Sequence, residues 1–473
     1  MVREADVGSS GMDLERDSLQ LLAGGLDVLE AGFAGLPALP AGASGLPAME
    51  AALTAAAERM RDNFPYFHPL YAGQMLKPPH PVARAAYAMA MWVNPNNHAL
   101  DGGRASSAME REAVAEIAAM FGWQTHLGHL TSGGTMANLE ALWVAGRLQP
   151  GMVTVASKQA HYTHERISGV LQQPFEAIPS DALGRMDVAA LERRLDAGEV
   201  GCVVATLGTT GFGAVDPLPA ILKLRERYGF RVHADCAYGG YFTLVGNLES
   251  SARGAYDALT EVDSIVIDPH KHGLQPYGCG CVLFRDPATG RIYKHDSPYT
   301  YFSSAELHLG EISLECSRAG ASAVALWSTQ RLLPLVPGGE FAAGLEAGRR
   351  AALALAAELS GDRRFALVLQ PELDIVVWGV RSGSASASSE LAQRVFDSAA
   401  KRDLHLALIR VPVEAVPAFG AEFVRDRAEV VCLRSVLMKP EHETWIPEIL
   451  ARLRAACDET LSGIAKRDDL AQR

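Results

Sequence analysis

Between about residues 105 and 285, short apolar runs alternate with longer stretches of helical spacing. The runs fall at 153–156 (VTVA), 202–206 (CVVAT), 231–234 (RVHA), 264–267 (SIVI) and 281–284 (CVLF). Each is brief, rich in β-branched residues and bounded by Gly, Pro or Asp. That pattern predicts strands buried on both faces of a mostly parallel sheet, with helices as crossovers. Residues 136–147 (MANLEALWVAGR) have amphipathic spacing and predict one of those helices. Ahead of the alternating region, 49–62 (MEAALTAAAERMRD) reads as a helix closed by Asn63-Phe64-Pro65, preceded by a short leading helix and a Gly/Ala/Pro-rich connector. Beyond residue 330 the rhythm changes. A long Ala/Leu-rich helix at 341–359 is followed by strands at 365–370 and 373–380 around a Pro-Glu turn. A helix at 391–401, a strand at 430–438 and a closing helix at 445–465 complete the chain. The expectation is an α/β architecture in three parts: an N-terminal segment 1–75, a large domain 76–330, and a smaller C-terminal α+β domain 331–473.

Composition narrows the classes. Acidic residues outnumber basic ones 55 to 43 among 473 residues, a formal net charge of -12. That balance argues against nucleic acid and anionic membranes as partners, since both select a basic surface. Seven cysteines, at 202, 236, 279, 281, 316, 432 and 457, do not form an even disulfide framework. Cys279-Gly280-Cys281 is too tightly spaced for the usual zinc pair, so no metal is expected. The N-terminal residues lack the apolar core of a secretory signal, and no run is long enough to span a bilayer. A cytoplasmic location is the expectation.

The candidate chemistry lies at the ends of the apolar runs. Asp268-Pro269-His270-Lys271 follows 264–267 directly. A lysine at the exit of a buried strand is costly unless its charge is paired or removed, and an imine with an aldehyde cofactor removes it. Asp235, in the sequence HADCAYGG, ends the run at 231–234. Ligands of open parallel sheets bind beyond the carboxyl ends of the strands, which puts Asp235 and Lys271 at one edge. A carboxylate facing a pyridine nitrogen holds that nitrogen protonated, and Ala237 is small enough for a flat ring to lie against. Thr131-Ser132-Gly133-Gly134-Thr135 opens the helix at 136–147; its backbone N–H groups suit an anion or, more blandly, an ordinary cap. His161 follows 153–156 and Thr209-Thr210 follow 202–206. Each signal is weak alone, and their meeting at one edge carries the reading.

These residues resemble a known family. The ordered set TSGGTMANLEAL, SKQAHYTHERISG, ATLGTTGFGAVDPL, HADCAYGG, DPHKHG and CLRSVLMKP is similar to the pyridoxal-5′-phosphate (PLP)-dependent group II amino-acid decarboxylases across roughly residues 65–460. The resemblance implies PLP fold type I, usually as a homodimer with active sites at the subunit interface, and decarboxylation of an L-amino acid to the amine and CO2. It implies that Lys271 carries the cofactor as an imine, that His161 stacks on its ring, and that Asp235 pairs with the ring nitrogen beside Ala237. Gly133, Gly134 and Thr135 would cradle the phosphate with His270. Thr209 or Thr210 would lie near the cofactor, and Arg434 would read a substrate carboxylate. Asp268 stands where better-known members carry asparagine. Tyr299 and Tyr301 both fit the position of a catalytic loop tyrosine. A carbon–carbon lyase or a decarboxylating aldehyde synthase of the same fold is the alternative. His68, Tyr71, Gln74, Asn96, Asn97 and His98 are candidates for the entrance, and aromatic or acidic amino acids are the leading substrate classes.

Overall fold

The computed structural model describes residues 17–37, 45–294, 308–416, 419–420 and 422–471, with side chains as far as Ser462. Seven strands form one sheet: β1 Leu127–Thr131, β2 Val153–Ser157, β3 Phe175–Ile178, β4 Val200–Thr206, β5 Arg231–Asp235, β6 Ser264–Ile267 and β7 Gly280–Phe284. Their order is β1-β7-β6-β5-β4-β2-β3. β3, β2, β4, β5 and β6 run parallel, while β7 is antiparallel to both β6 and β1. Every residue of β2, β4, β6 and β7 is buried, as expected of strands covered on both faces by helices.

Four further strands make a smaller antiparallel sheet in the order β10-β11-β9-β8: β8 Phe365–Leu367, β9 Ile375–Val380, β10 Ala407–Pro412 and β11 Glu429–Val436. The strand expected at 365–370 is shorter, and β1, β3 and β10 were not among the expected runs. Helices Glu340–Gly361, Ala385–Ala400 and His442–Ala471 cover one face of this sheet through Leu355, Ala392 and Leu453, which pack with Trp378 and Leu433. Val377 and Cys432, on its other face, join the apolar cluster that holds Val155, Val203, Val232 and Ile265 of the large sheet. Residues 70–72 run along the small sheet, with Ala72 N–H donating to His405 O at 2.9 Å and Val436 N–H to Ala72 O at 2.8 Å. The shared apolar cluster fixes the small sheet against the large one.

Candidate active site

The topology brings five strand ends to one edge. β2, β4, β5 and β6 are parallel and finish there; β7 runs back from it, so β1, antiparallel to β7, finishes there too. The turns beyond these ends enclose a cavity of about 310 Å³. β1 contributes Ser132, Gly133, Gly134 and Thr135; β2 contributes His161 and Thr163; β4 contributes Thr206, Gly208 and Thr210. β5 supplies Asp235, Ala237 and Tyr238, and β6 supplies Asp268, His270 and Lys271.

Backbone geometry makes the first turn glycine-dependent. Gly133 has φ +154, a conformation that other residues rarely adopt. A Cβ on Gly134 would stand 2.7 Å from Asp268 Oδ2, and one on Gly280 would stand 2.6 Å from Gly133 Cα. The turn therefore sits flush against β7 and Asp268. It leads into the helix Gly134–Leu148, whose first N–H groups and dipole favour an anion.

Lys271 Nζ lies 3.0 Å from Asp268 Oδ2, with the lysine partly exposed to the cavity and the aspartate buried. Asp268 Oδ2 is also 3.5 Å from His270 Nε2, while Oδ1 is buried with no hydrogen-bond partner among the described residues. Burial lowers the basicity of His270 and Asp268 opposes that. Burial also lowers that of His161, whose Nδ1 accepts from Thr163 N–H at 3.2 Å; a neutral imidazole offers a flat face to the cavity.

Asp235 ends β5 in the core. Burial works against its charge, but His164, the Ala237 N–H and Lys271 together outweigh burial and hold the carboxyl well below its usual range. The His164 Nε2 lies 2.8 Å from Oδ2, and the Ala237 N–H donates to Oδ1 at 3.1 Å. Behind this pair, His233 Nε2 lies 2.8 Å from Asn138 Oδ1, and burial pushes its pKa down to about 3.

Not every expected residue meets here. Thr210 lines the cavity but Thr209 does not: its hydroxyl turns inward to accept the Ala214 N–H at 3.0 Å. Arg434 lies on β11 outside the lining, buried near Tyr238, Asp374 and Tyr71, with Nε and Nη2 unbonded among the described residues. Tyr299 and Tyr301 lie outside the described residues. None of His68, Tyr71, Gln74, Asn96, Asn97 and His98 lines the cavity. Asn97 instead donates to Glu110 Oε2 at 2.6 Å in the core. Sequence reasoning named Ser132 only as part of the anion turn and passed over Asn138, Thr163, Thr206 and Tyr238 as lining residues, and His164 behind them. For Thr206 the signal was available, since it ends an apolar run as Asp235 does.

The chain matches the model of the pyridoxal-dependent decarboxylase conserved domain over residues 89–381. It is 29% identical over 364 residues to the L-tyrosine decarboxylase of Enterococcus faecium, across 56% of this chain and 60% of that enzyme. That match spans less than two thirds of the relative's length. It is 34% identical over 257 residues to a probable L-aspartate decarboxylase of Halobacterium salinarum, across 54% of this chain and 70% of that protein. Among solved structures, mouse CSAD superposes with a TM-score of 0.74 at 21% identity, covering 94% of this chain and 92% of that one. Oryza sativa TDC with PLP and tryptamine gives 0.74 at 18% identity, covering 96% and 99%. At those identities the structural likeness speaks for the fold alone.

Proposed function

The chain belongs to the pyridoxal-dependent decarboxylase family, and from that premise we propose that it holds pyridoxal 5′-phosphate in the strand-end cavity and releases the α-carboxylate of an L-amino acid as CO2. The cavity fits the cofactor on its own terms. A glycine turn at a helix N-terminus suits a phosphate. An ionised carboxylate from β5 suits a protonated ring nitrogen, and a lysine amine suits an aldehyde. Thr206 Oγ1 and Asp268 Oδ1 are buried without partners among the described residues, polar atoms that the protein alone leaves unsatisfied.

In this reading Gly133, Gly134, Thr135 and His270 would hold the phosphate, His161, Ala237 and Thr210 would hold the ring, Asp235 would keep its nitrogen protonated, and Lys271 would supply the amine for its aldehyde. When bound, the cofactor supplies an electron-poor ring that accepts the pair left behind by the departing carboxylate. The residues of the chain bind, orient and move protons. Asp268, 3.0 Å from Lys271 Nζ, aims the amine into the cavity. Asp235 keeps a negative charge where a cationic ring nitrogen needs one. Arg434, a buried guanidinium with two unbonded nitrogens, is our candidate for a substrate carboxylate. Tyr299 or Tyr301 is our candidate for the proton returned to Cα.

We take the substrate class to be aromatic or acidic amino acids, since the relatives are named for tyrosine and aspartate. We take the working form to be a homodimer. Helices Asp17–Ala31 and Leu46–Met60 bury none of their residues in one chain and present Leu19, Val28, Leu46, Met49, Leu53 and Met60 to the outside. Seven free cysteines support a cytoplasmic setting.

The observation that carries the reading is the meeting of Lys271, Asp235, His161 and the glycine turn in one cavity. Purified protein supplied with pyridoxal 5′-phosphate should release CO2 and the matching amine from an aromatic or acidic member of an amino-acid panel. Borohydride reduction should leave a pyridoxyl group on Lys271, and K271A should lose both. A label on another lysine, or aldehyde and ammonia in place of amine, would overturn the assignment.

A further inference from the structure

We propose that His164 is a positioning residue: its Nε2–H clamps the Asp235 carboxylate in its place at the cavity wall, so that the cofactor's ring nitrogen stays protonated. This rests on the cofactor reading above and adds to it a residue that does not line the cavity.

The imidazole of His164 is fully buried in the first turn of the helix Thr163–Val170. Its Nε2 lies 2.8 Å from Asp235 Oδ2. An ionised carboxylate can only accept, so Nε2 is the donor in either protonation state of the ring. The other nitrogen, Nδ1, is buried and has no hydrogen-bond partner among the described residues. A ring whose sole duty was to tie this helix to the sheet would do better apolar, because burying an unpaired polar atom is unfavourable. Among the described residues its single polar contact is with Asp235.

The effect of that contact follows from where the carboxylate stands. The Ala237 N–H holds Oδ1 at 3.1 Å and His164 holds Oδ2, so both oxygens are fixed by donors of the protein while the side chain lines the cavity. Two fixed donors define the plane of the carboxylate and stabilise its charged form, as outer partners orient and tune the ligands of a bound group elsewhere. His233, whose ring centre is 6.5 Å from that of His164, stays neutral and contributes no competing charge. His164 thus acts through Asp235 and touches neither cofactor nor substrate.

The test reconstitutes the apoprotein and its H164F and H164Q variants with pyridoxal 5′-phosphate carrying 15N in the ring. Cofactor affinity is read by titration and ring-nitrogen protonation by the 15N chemical shift. Phenylalanine fills the space without a donor, and glutamine restores one at Nε2. H164F should move the 15N signal toward neutral pyridine and weaken cofactor binding by roughly ten- to hundredfold. Its kcat should fall with KM nearly unchanged, and H164Q should recover most of the shift and the affinity. If H164F does not fold, H164N, whose amide is too short to reach Asp235, replaces it and must show the same losses. A folded donorless variant with the wild-type 15N shift and affinity overturns the proposal, as does an H164Q protein no better than the donorless one. A wild-type protein that binds no pyridoxal phosphate would sink the functional reading itself, which separates the two failures.

Discussion

At Gly134 the wall of the cavity leaves no room for a methyl group. Its Cβ would fall 2.7 Å from Asp268 Oδ2, and that carboxylate is held by Lys271 at 3.0 Å, so it cannot swing aside without giving up its ion pair. Overpacking of this kind is unfavourable by about 1–3 kcal/mol. Because the strain falls on the anion turn, G134A should lose cofactor affinity by roughly ten- to hundredfold and its unfolding midpoint should fall as well; equal affinity in a titration would show the turn to be slack. The same crowding explains which residues the sequence discloses. Lys271 and Asp235 are legible because each is a charge that terminates an apolar run. The choice between Thr209 and Thr210 is not, because a single peptide of the turn decides which hydroxyl faces the cavity, and the Ala214 N–H claims Thr209. His164 is invisible for another reason: its meaning lies in Asp235, 71 positions away.

At the scale of elements, the runs at 153–156, 202–206, 231–234, 264–267 and 281–284 all became strands of the large sheet because burial on both faces leaves an unbroken apolar signature. β1 (LGHLT) and the edge strand β3 (FEAI) lack it, the first carrying glycine and histidine, the second with its two central residues exposed. Strand direction is also unreadable locally: β7 looks like its neighbours yet runs against them, and that reversal returns β1 to the site edge. The N-terminal helix Leu46–Met60 shows the opposite case, a pattern clear in sequence with none of its residues buried among the described residues of one chain. Leu46, Met49, Leu53 and Met60 fall on one stripe, and all are exposed. An apolar stripe of that length on a water-facing helix marks an interface. If the homodimer proposed above forms through this stripe, light scattering should find the wild-type protein dimeric and L53E monomeric, with its helical content kept. A monomeric wild-type protein would remove the basis for the dimer.

For the molecule as a whole, the N-terminal segment, the large sheet and the small sheet are held together partly by charge in unfavourable places. Lys439, just beyond β11, is buried; its Nζ donates to Tyr71 O at 2.7 Å and stands over the Tyr71 ring at 5.4 Å. Burial first, and Lys77 second, push its pKa down to about 7, against some opposition from Glu441. In the unfolded chain the same amine keeps its proton up to about 10.4. Between those values unfolding takes up a proton, so the lysine weakens the fold most below pH 7 and ceases to do so as pH rises past about 10.4. At pH 7 the difference corresponds to about 4 kcal/mol. Methionine of similar length would relieve it, while giving up the hydrogen bond to the Tyr71 carbonyl at a loss of about 1–3 kcal/mol. K439M should accordingly be more stable than wild type by about 2 kcal/mol at neutral pH. The advantage should shrink with rising pH, cross zero at about pH 9, and by about pH 10.5 have given way to the full deficit of the lost hydrogen bond. Comparing the two proteins by urea unfolding at pH 7 and above pH 10 cancels the tyrosines and cysteines that titrate in both. A difference independent of pH would mean that Lys439 keeps its proton in the fold, and that its contact with Tyr71 is a favourable tie between the N-terminal segment and the small sheet.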